Sequence, residues 1–202
     1  MFQKTWTTSS TIHAFCLFEW VINSVTVRIV ADCVPVLIQQ NVDGSNFFNR
    51  SWAEFKVGFN DSSGNYWLGN DLLHQLTKRD RYKVRWDVQA LNLSWYYEEY
   101  NTFAVQSEAN NYRLQVSGFS GNAGDGLSYH DGMMFTTYDR DNDRSTSSSY
   151  RGNCALKHGG GFWFNDCSWA SINSVRRTGL YKWWSFYSGN LWLQSTRMWL
   201  TC

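Results

Sequence analysis

Alternation of apolar and polar residues along the first half of the chain predicts several β-strands. Residues 82–88 alternate strictly, which is typical of a strand with one buried face. The β-branched run Val25–Val30 also alternates, and residues 36–38 begin a further apolar run. Residues 100–105 and 112–116 are additional strand candidates. Together these segments predict a sheet.

Two short helices are predicted between the strands. Ser51 precedes the helical candidate 52–56, and Glu54 follows it at the spacing of a capping box, in which each residue satisfies a backbone N–H of the other. Gly58 lies beyond the end of this helix, where glycine tolerates the required backbone conformation. Residues 70–76 predict the second helix.

The pattern changes after residue 117, where Gly, Ser, Asn and Asp dominate and regular periodicity fades. A long irregular region is typical of either a functional loop region or disorder. Aromatic residues make up 18% of the chain and continue through this region, which favours an ordered structure.

Composition excludes some classes of protein. Hydrophobic residues make up 43% of the 202 residues, enough for a sizeable core. The net charge of +1 does not suit a nucleic-acid-binding protein, because phosphate binding needs a basic surface. No apolar run reaches the roughly 18 residues of a membrane-spanning helix, so no membrane insertion is expected. Glu19 interrupts the apolar residues near the amino terminus, and no working signal peptide is predicted there.

Cysteines and glycosylation sequons bear on the cellular compartment. The five cysteines are Cys16, Cys33, Cys154, Cys167 and Cys202. This odd count leaves at least one thiol free, or pairs it with another chain. No C-x-x-C motif supports a zinc ribbon. Sequons begin at Asn49, Asn60 and Asn92, a weak indication of secretion because such triplets are common by chance.

Three alternating aspartates, Asp139, Asp141 and Asp143, suggest a calcium site, because Ca²⁺ prefers about six to eight oxygen ligands and accepts carboxylates and carbonyls. An EF-hand is excluded, because the loop positions that need Gly and Glu hold Arg144 and Tyr150. A solvated turn rich in aspartate is the remaining alternative.

Patterns that resemble catalytic motifs are incomplete. Residues 158–161 match the glycine loop of esterases, but the G-x-S-x-G nucleophile motif is missing from the sequence. Glu98 and Glu99 are adjacent on a predicted strand and therefore point to opposite faces, so they are poor partners for glycoside hydrolysis. We therefore expect a protein that is not an enzyme.

The order of motifs from about residue 36 to 198 resembles the fibrinogen C-terminal (fibrinogen-related) domain. The motifs are Ser51-Trp52, Phe55-Lys56 and Gly58-Phe59; Tyr66-Trp67-Leu68-Gly69-Asn70; His74-Gln75-Leu76-Thr77; Ala123-Gly124-Asp125 and Leu127; His130 and Gly132; Phe135-Thr136-Thr137 and Asp139-Arg140-Asp141-Asn142-Asp143; Asn153-Cys154-Ala155; Gly161-Phe162-Trp163-Phe164-Asn165; and Cys167. The number of motifs in series makes this resemblance specific.

The resemblance implies an α+β fold with a central, mainly antiparallel sheet, short helices and a loop-rich calcium-binding subdomain. Residues 36–202 form this domain, and residues 1–35 form a divergent segment that does not match the family. The stretch from residue 174 to 178 is shorter than the corresponding family loop, and the run from residue 144 to 150 is longer than usual.

Site residues follow from the same resemblance. A calcium ion would be bound by the side chains of Asp141 and Asp143 and by the backbone carbonyls of Ser145 and Ser147. Cys154 and Cys167 are expected to form a disulfide, with two free buried thiols as the alternative.

In lectin members of the family, this region builds a pocket for acetyl groups on sugars. The ligand-binding residues implied here are His158, Phe164, Asp166, Cys167 and Ser168. The Asp166–Cys167 peptide bond corresponds to one that is commonly cis in the family. Ser168 stands where the family often has histidine. His158 is either a pocket wall or an ordinary surface loop residue.

The resemblance further implies a secreted glycoprotein that acts as a calcium-dependent recognition module. The leading hypothesis is lectin-like carbohydrate binding to glycans or acetylated ligands, as in proteins of innate immunity. The alternative is a protein–protein interaction module of a matrix or signalling protein, with an extracellular receptor as its partner. A homo-oligomer could form through Cys202 or an early cysteine.

Overall fold

The computed structural model describes residues 17–22, 25–30, 35–78, 82–170, 172–175, 182–185 and 189–201. Cys16, Cys33 and Cys202 lie outside these residues, so the structure does not address their pairing. Most of residues 1–35 also lie outside, as do residues 176–178 of the shortened stretch.

The described residues contain ten strands, three α-helices and four short 3₁₀ turns. The strands are β1 Leu17–Ile22, β2 Val25–Val30, β3 Val36–Asn41, β4 Phe59–Asn60, β5 Tyr66–Trp67, β6 Tyr82–Ala90, β7 Trp95–Val105, β8 Leu114–Gly121, β9 Lys182–Ser185 and β10 Gly189–Thr201. The helices are α1 Trp52–Val57, α2 Asn70–Thr77 and α3 Cys154–His158, and the 3₁₀ turns are Asn46–Phe48, Glu108–Asn110, Ser128–His130 and Ser149–Gly152.

An eight-stranded antiparallel sheet organises the fold. Its strands lie in the order β4-β5-β3-β10-β6-β7-β8, and β9 pairs with β10. Strands β1 and β2 pair with each other in a separate two-stranded sheet. The predicted α+β fold with a mainly antiparallel sheet is therefore confirmed.

The strands predicted from periodicity are present, with some changes at their ends. β6 extends to Ala90, and its residues alternate between buried and half-buried as expected. β7 begins at Trp95, ahead of the predicted start. The prediction that residues 112–116 form a strand was wrong at its start, because Tyr112 has a positive φ of 49° in a turn and β8 begins at Leu114.

The expectation of an irregular chain after residue 117 was wrong where the end of β8, α3, β9 and β10 lie. β8 continues to Gly121, and the 13-residue strand β10 crosses the middle of the sheet. An extra residue in β10 between Leu193 and Ser195, opposite the adjacent pair Gln89 and Ala90 of β6, interrupts the alternation in β10. A bulge shifts the side-chain period and so hides a strand from a search for alternation.

Helix α1 forms as its capping box predicts. The Ser51 hydroxyl accepts the Glu54 N–H, while the Glu54 carboxylate accepts the Ser51 N–H. Gly58 ends the helix with a φ of 92°, and a Cβ there would lie 2.5 Å from the Leu68 carbonyl oxygen. Glycine is therefore required at this position for both its conformation and its small size.

A buried aromatic cluster joins the sheet and helices to the irregular region. The rings of Phe55 and Phe135 have centroids 5.1 Å apart, and those of Phe135 and Trp163 lie 5.2 Å apart. All three side chains are completely buried. The irregular region is thus ordered by packing. None of the helices in the described residues is long and apolar enough to span a membrane.

Candidate recognition site around the Cys154–Cys167 disulfide

The disulfide between Cys154 and Cys167 connects helix α3 to the loop that follows Trp163. The two Cα atoms are 5.5 Å apart, within the usual range for a disulfide. This is the pair that the family resemblance implied. The bond holds together two segments that carry most of the predicted site residues.

The carboxylate of Asp143 connects the aspartate loop to this disulfide. Its Oδ2 accepts the Cys154 N–H at 2.7 Å, and its Oδ1 accepts the Ser145 N–H at 2.9 Å. Asp141 lies beside it and accepts the Asp143 N–H at 3.2 Å. Burial, together with the neighbouring negative charge of Asp141, raises the pKa of Asp143 to about 6. Two carboxylates at one place, one of them half-buried, are favourable partners for a cation.

The carbonyls of Ser145 and Ser147 approach the same point of the chain. A Cβ built on Gly152 would lie 3.4 Å from the Ser145 oxygen and 3.7 Å from the Ser147 oxygen. The loop therefore folds back on itself, so that both carbonyl oxygens lie beside Gly152. Two carboxylates and two carbonyls are the hard oxygen donors that Ca²⁺ prefers. No group of three His, Cys, Asp or Glu side chains suited to a metal occurs in the described part of the chain, so backbone and water oxygens would complete the coordination.

Asp139 has a different role from the other two aspartates. Its Oδ1 accepts the Trp52 N–H at 2.9 Å and the Thr137 hydroxyl at 2.7 Å. The Trp52 N–H belongs to the first turn of α1, where backbone donors have no partner within the helix. Asp139 therefore attaches the aspartate loop to the amino terminus of α1.

Two of the predicted ligand-binding residues are internal. His158 is 2% exposed and Phe164 is 1% exposed, and their rings pack with centroids 5.0 Å apart. The His158 Nδ1 lies 3.1 Å from the Ser174 hydroxyl oxygen. The alternative that His158 is an ordinary surface loop residue is wrong, because helix α3 turns this side chain inward.

Asp166, Cys167 and Ser168 lie nearer the surface, apart from those two rings. Asp166 is exposed, and the other two residues are half-buried. Cis peptide bonds are absent from the described residues, so the Asp166–Cys167 bond is trans, unlike the bond common in the family. The Asn165 carbonyl accepts the Arg144 N–H at 3.1 Å, which connects this loop to the aspartate loop.

A stacked aromatic pair beside Asp166 was not identified from the sequence. The rings of Tyr129 and Trp169 lie 4.5 Å apart and 5° from parallel. Trp169 is 37% exposed, and the Tyr129 hydroxyl donates to the Asp166 carbonyl at 3.0 Å. The only sequence signal was a tryptophan within a polar stretch just after Cys167.

The buried side chain of His130 connects Trp169 of this pair to the core. It is completely buried; its Nδ1–H donates to the Trp163 carbonyl at 2.8 Å, and its Nε2 accepts the Trp169 N–H at 3.3 Å. Burial lowers the pKa of His130 to about 3, so the ring is neutral. Both ring nitrogens are satisfied, and His130 holds Trp169 against the core.

The motifs that resembled catalytic sites have other roles. Glu98 is buried, whereas Glu99 lies on the other face of β7 and is partly exposed, as expected for adjacent strand residues. A Cβ on Gly160 would lie 2.1 Å from the Asn173 carbonyl oxygen, and one on Gly161 would lie 2.6 Å from the Phe55 ring. This glycine run therefore allows close packing.

Comparison with known proteins gives a consistent result. The family described as "Fibrinogen beta and gamma chains, C-terminal globular domain" matches residues 32–201. Mouse angiopoietin-related protein 1 is 41% identical over 129 residues, which cover 64% of this chain and 25% of that protein. Mouse microfibril-associated glycoprotein 4 is 37% identical over 164 residues, which cover 78% of this chain and 61% of that protein. The chain thus spans only part of these relatives.

Solved structures share the fold. The fibrinogen-like globe domain of human ANGPTL6 has a TM-score of 0.74 at 30% identity, over 91% of this chain and 86% of that one. Lamprey fibrin D-dimer, solved with the peptide Gly-His-Arg-Pro-amide, has a TM-score of 0.71 at 27% identity, over 92% of this chain and 64% of that one.

Proposed function

Because this chain belongs to the fibrinogen C-terminal domain family, we propose that it is an extracellular recognition module with a calcium-stabilised binding face. The face consists of Tyr129, Asp166, Ser168 and Trp169 beside the Cys154–Cys167 disulfide. Its leading ligand class is glycans, with a protein receptor as the second candidate.

The hydrogen bond from the Cys154 N–H to the Asp143 carboxylate carries this proposal. It joins the proposed calcium ligand directly to a disulfide cysteine. Ca²⁺ bound by Asp141, Asp143 and the Ser145 and Ser147 carbonyls would remove the repulsion between the two carboxylates. It would thereby order the loop that contacts Cys154. A loop with two carboxylates should bind Ca²⁺ with a Kd on the order of 0.1–1 mM.

A second connection extends from the aspartate loop to the face. The backbone hydrogen bond from the Arg144 N–H to the Asn165 carbonyl joins the residue after Asp143 to the residue before Asp166. Loss of order in the aspartate loop would therefore release both the α3 side and the Asp166 side of the disulfide. For this reason, ligand binding should depend on calcium although the ion lies outside the face.

The stacked pair supports a glycan ligand. Aromatic rings bury apolar surface and have faces that attract C–H groups, and a sugar ring offers such groups on one side. The exposed Asp166 carboxylate can accept sugar hydroxyls beside Trp169. Because His158 and Phe164 are internal, they would have to move to line an acetyl pocket, so we assign the contact to the Tyr129–Trp169 pair.

A protein ligand is the second candidate. The lamprey fibrin structure of the same fold contains a bound peptide, which favours a protein or peptide as the ligand of this domain. The exposed side chains of Tyr150 and Leu156, close to Cys154 in the chain, add apolar area suited to such a partner.

Calcium titration by calorimetry tests the ion site. Asp141→Asn and Asp143→Asn should each weaken binding at least tenfold, because each removes a charged ligand. Ser145→Ala is the matched control, since it keeps the carbonyl that is proposed to bind the ion, and its affinity should remain within about twofold of wild type. Equal affinities for all four proteins would rule out this site.

A glycan array, screened with calcium and then with a chelator, tests the ligand class. Signals that disappear with chelator and in Trp169→Ala support the glycan proposal. A silent array together with calcium-dependent capture of a receptor ectodomain, again lost in Trp169→Ala, would replace it by the protein candidate. Binding that is indifferent to Trp169→Ala would reject the proposed face.

A further inference from the structure

The turn between β6 and β7 carries one of the three sequons, Asn92-Leu93-Ser94. Asn92 and Ser94 are both exposed. The Asn92 Oδ1 accepts the Ser94 N–H at 3.1 Å, while its Nδ2 has no hydrogen-bond partner within the described residues. The modifiable nitrogen therefore points into solvent from a well-defined turn.

Four exposed apolar residues belong to this turn or to the strand ends beside it, and one of them, Trp95, has the Arg197 guanidinium 4.4 Å from its ring centroid. They are Leu91 (53% exposed), Leu93 (65%), Trp95 (45%) and Trp192 (45%), named here the tip patch. The Leu91 N–H donates to the Trp192 carbonyl at 3.1 Å, which brings the start of β10 next to the turn. A group of exposed apolar residues on a protein surface indicates an interaction partner or a covering group.

The backbone of the turn adds to this argument. Leu93 has a positive φ of 67°, in the left-handed region that leucine rarely adopts. Asparagine or glycine would fit this position without strain and without exposing a large apolar side chain. In a turn exposed to water, leucine at this position contributes no burial of apolar surface. In a turn covered by a ligand, the leucine side chain becomes buried and stabilises the contact.

The other two sequon asparagines, although also exposed, have no exposed leucine beside them. In Asn49-Arg50-Ser51 the serine hydroxyl is engaged in the capping box of α1 with Glu54. Asn60 lies in the edge strand β4, paired with Tyr66, and its neighbours in the chain are only half-buried. Asn92 alone among the three sequon asparagines has an exposed leucine on each side.

We propose that Asn92 carries an N-linked glycan that covers the tip patch. This inference rests on the extracellular location in the proposed function. An oligosaccharyltransferase of the secretory pathway would move an oligosaccharide from a lipid diphosphate donor to the Asn92 Nδ2. A bond forms between Nδ2 and the anomeric carbon, the bond from that carbon to the diphosphate oxygen breaks, and Nδ2 loses one proton. The C–H faces of the first sugars then pack on Trp95 and the leucines.

Site occupancy is tested on the full chain, expressed behind a secretory leader in animal cells. Peptide mass mapping before and after enzymatic glycan release should show Asn92 converted to aspartate. Ser94→Ala should abolish this conversion, and Ser94→Thr, which preserves the sequon, should keep it. An unmodified Asn92 in secreted wild-type protein overturns the inference.

Coverage of the patch is tested by sedimentation of the same proteins. Asn92→Gln and Ser94→Ala should strengthen self-association at least severalfold, whereas Asn60→Gln should not. Adding Leu93→Ser to Asn92→Gln should reverse the effect by removing apolar surface. A glycosylated Asn92 whose loss changes nothing in sedimentation overturns the covering role.

The same preparations separate this inference from the proposed function. Protein that is glycosylated at Asn92 but binds no calcium supports the inference and rejects the calcium site. Protein that binds calcium but is unmodified at Asn92 supports the calcium site and overturns the inference.

Discussion

Replacing Asp139 by alanine should destabilise the domain, even though Asp139 is assigned no contact with calcium. The substitution removes the acceptor of two hydrogen bonds, from the Trp52 N–H and the Thr137 hydroxyl. Loss of an acceptor at a helix amino terminus costs about 1 kcal/mol, and loss of a side-chain hydrogen bond costs about another 1 kcal/mol. Because Asp139 is exposed, water can partly replace it, so we expect about 1–2 kcal/mol in total.

Asp139→Asn is the matched variant. It keeps one oxygen acceptor but loses the charge that favours a helix amino terminus, which is worth about 0.3–1 kcal/mol. Urea unfolding under non-reducing conditions measures both variants. In thermal unfolding of a domain of this size, the same loss should lower the melting temperature of the alanine variant by about 2–8 °C.

Calcium affinity, measured in parallel, separates the aspartates by role. Asp139→Asn should bind calcium within about twofold of wild type, whereas Asp141→Asn should not. If Asp139→Ala unfolds at the wild-type urea concentration, its anchoring role is wrong. If Asp139→Asn loses calcium binding as fully as Asp141→Asn, the division of roles is wrong.

Three further predictions concern the buried core of the domain and the disulfide beside the site. Burial raises the pKa of Glu98 well above its usual value, and the negative charge of Asp125 contributes to the same shift. The protonated Glu98 carboxyl therefore stabilises the folded state fully below about pH 4.5, and this stabilisation is lost as the pH rises. Glu98→Gln should therefore be more stable than wild type at pH 7.5 and similar at pH 4; equal stability at both pH values would refute this. The contribution of His130 to stability depends on pH in the opposite direction. Because its pKa is lowered to about 3, this contribution is complete above about pH 6.5 and is lost as the pH falls. His130→Gln should lower stability at pH 7 but flatten its decline between pH 6.5 and 3, and an unchanged slope in urea titrations would count against a buried neutral ring. The double variant Cys154→Ser, Cys167→Ser should lose about 3 kcal/mol of unfolding free energy, because the bond closes a loop with a sequence separation of 13; a loss below about 1 kcal/mol would contradict that origin.

Local interactions were predictable because they join residues that are close in the chain. The capping box between Ser51 and Glu54 spans a single helical turn, and the alternation in β6 reflects one strand and its buried face. The aspartate and cysteine motifs, taken together with family resemblance, located the candidate calcium loop and the disulfide partners. These features need no knowledge of the rest of the fold.

The tertiary structure decided what depends on distant contacts. β10 lies between β3 and β6, and the bulge between Leu193 and Ser195 interrupts the alternation by which a local pattern would reveal it. The hydrogen bond from the Trp52 N–H to Asp139 joins residues 87 positions apart, and it gives Asp139 a role that the sequence pattern shared with Asp141 and Asp143 does not show.

The face itself also depended on the folded chain. The stacking of Tyr129 with Trp169 and the burial of His158 and Phe164 arise when the loop after Trp163 packs on the core. Sequence alone determined which residue types lie near the disulfide. Which of them reach the surface was decided by packing, because the same side chain is a ligand contact or a core residue according to the direction in which its backbone turns.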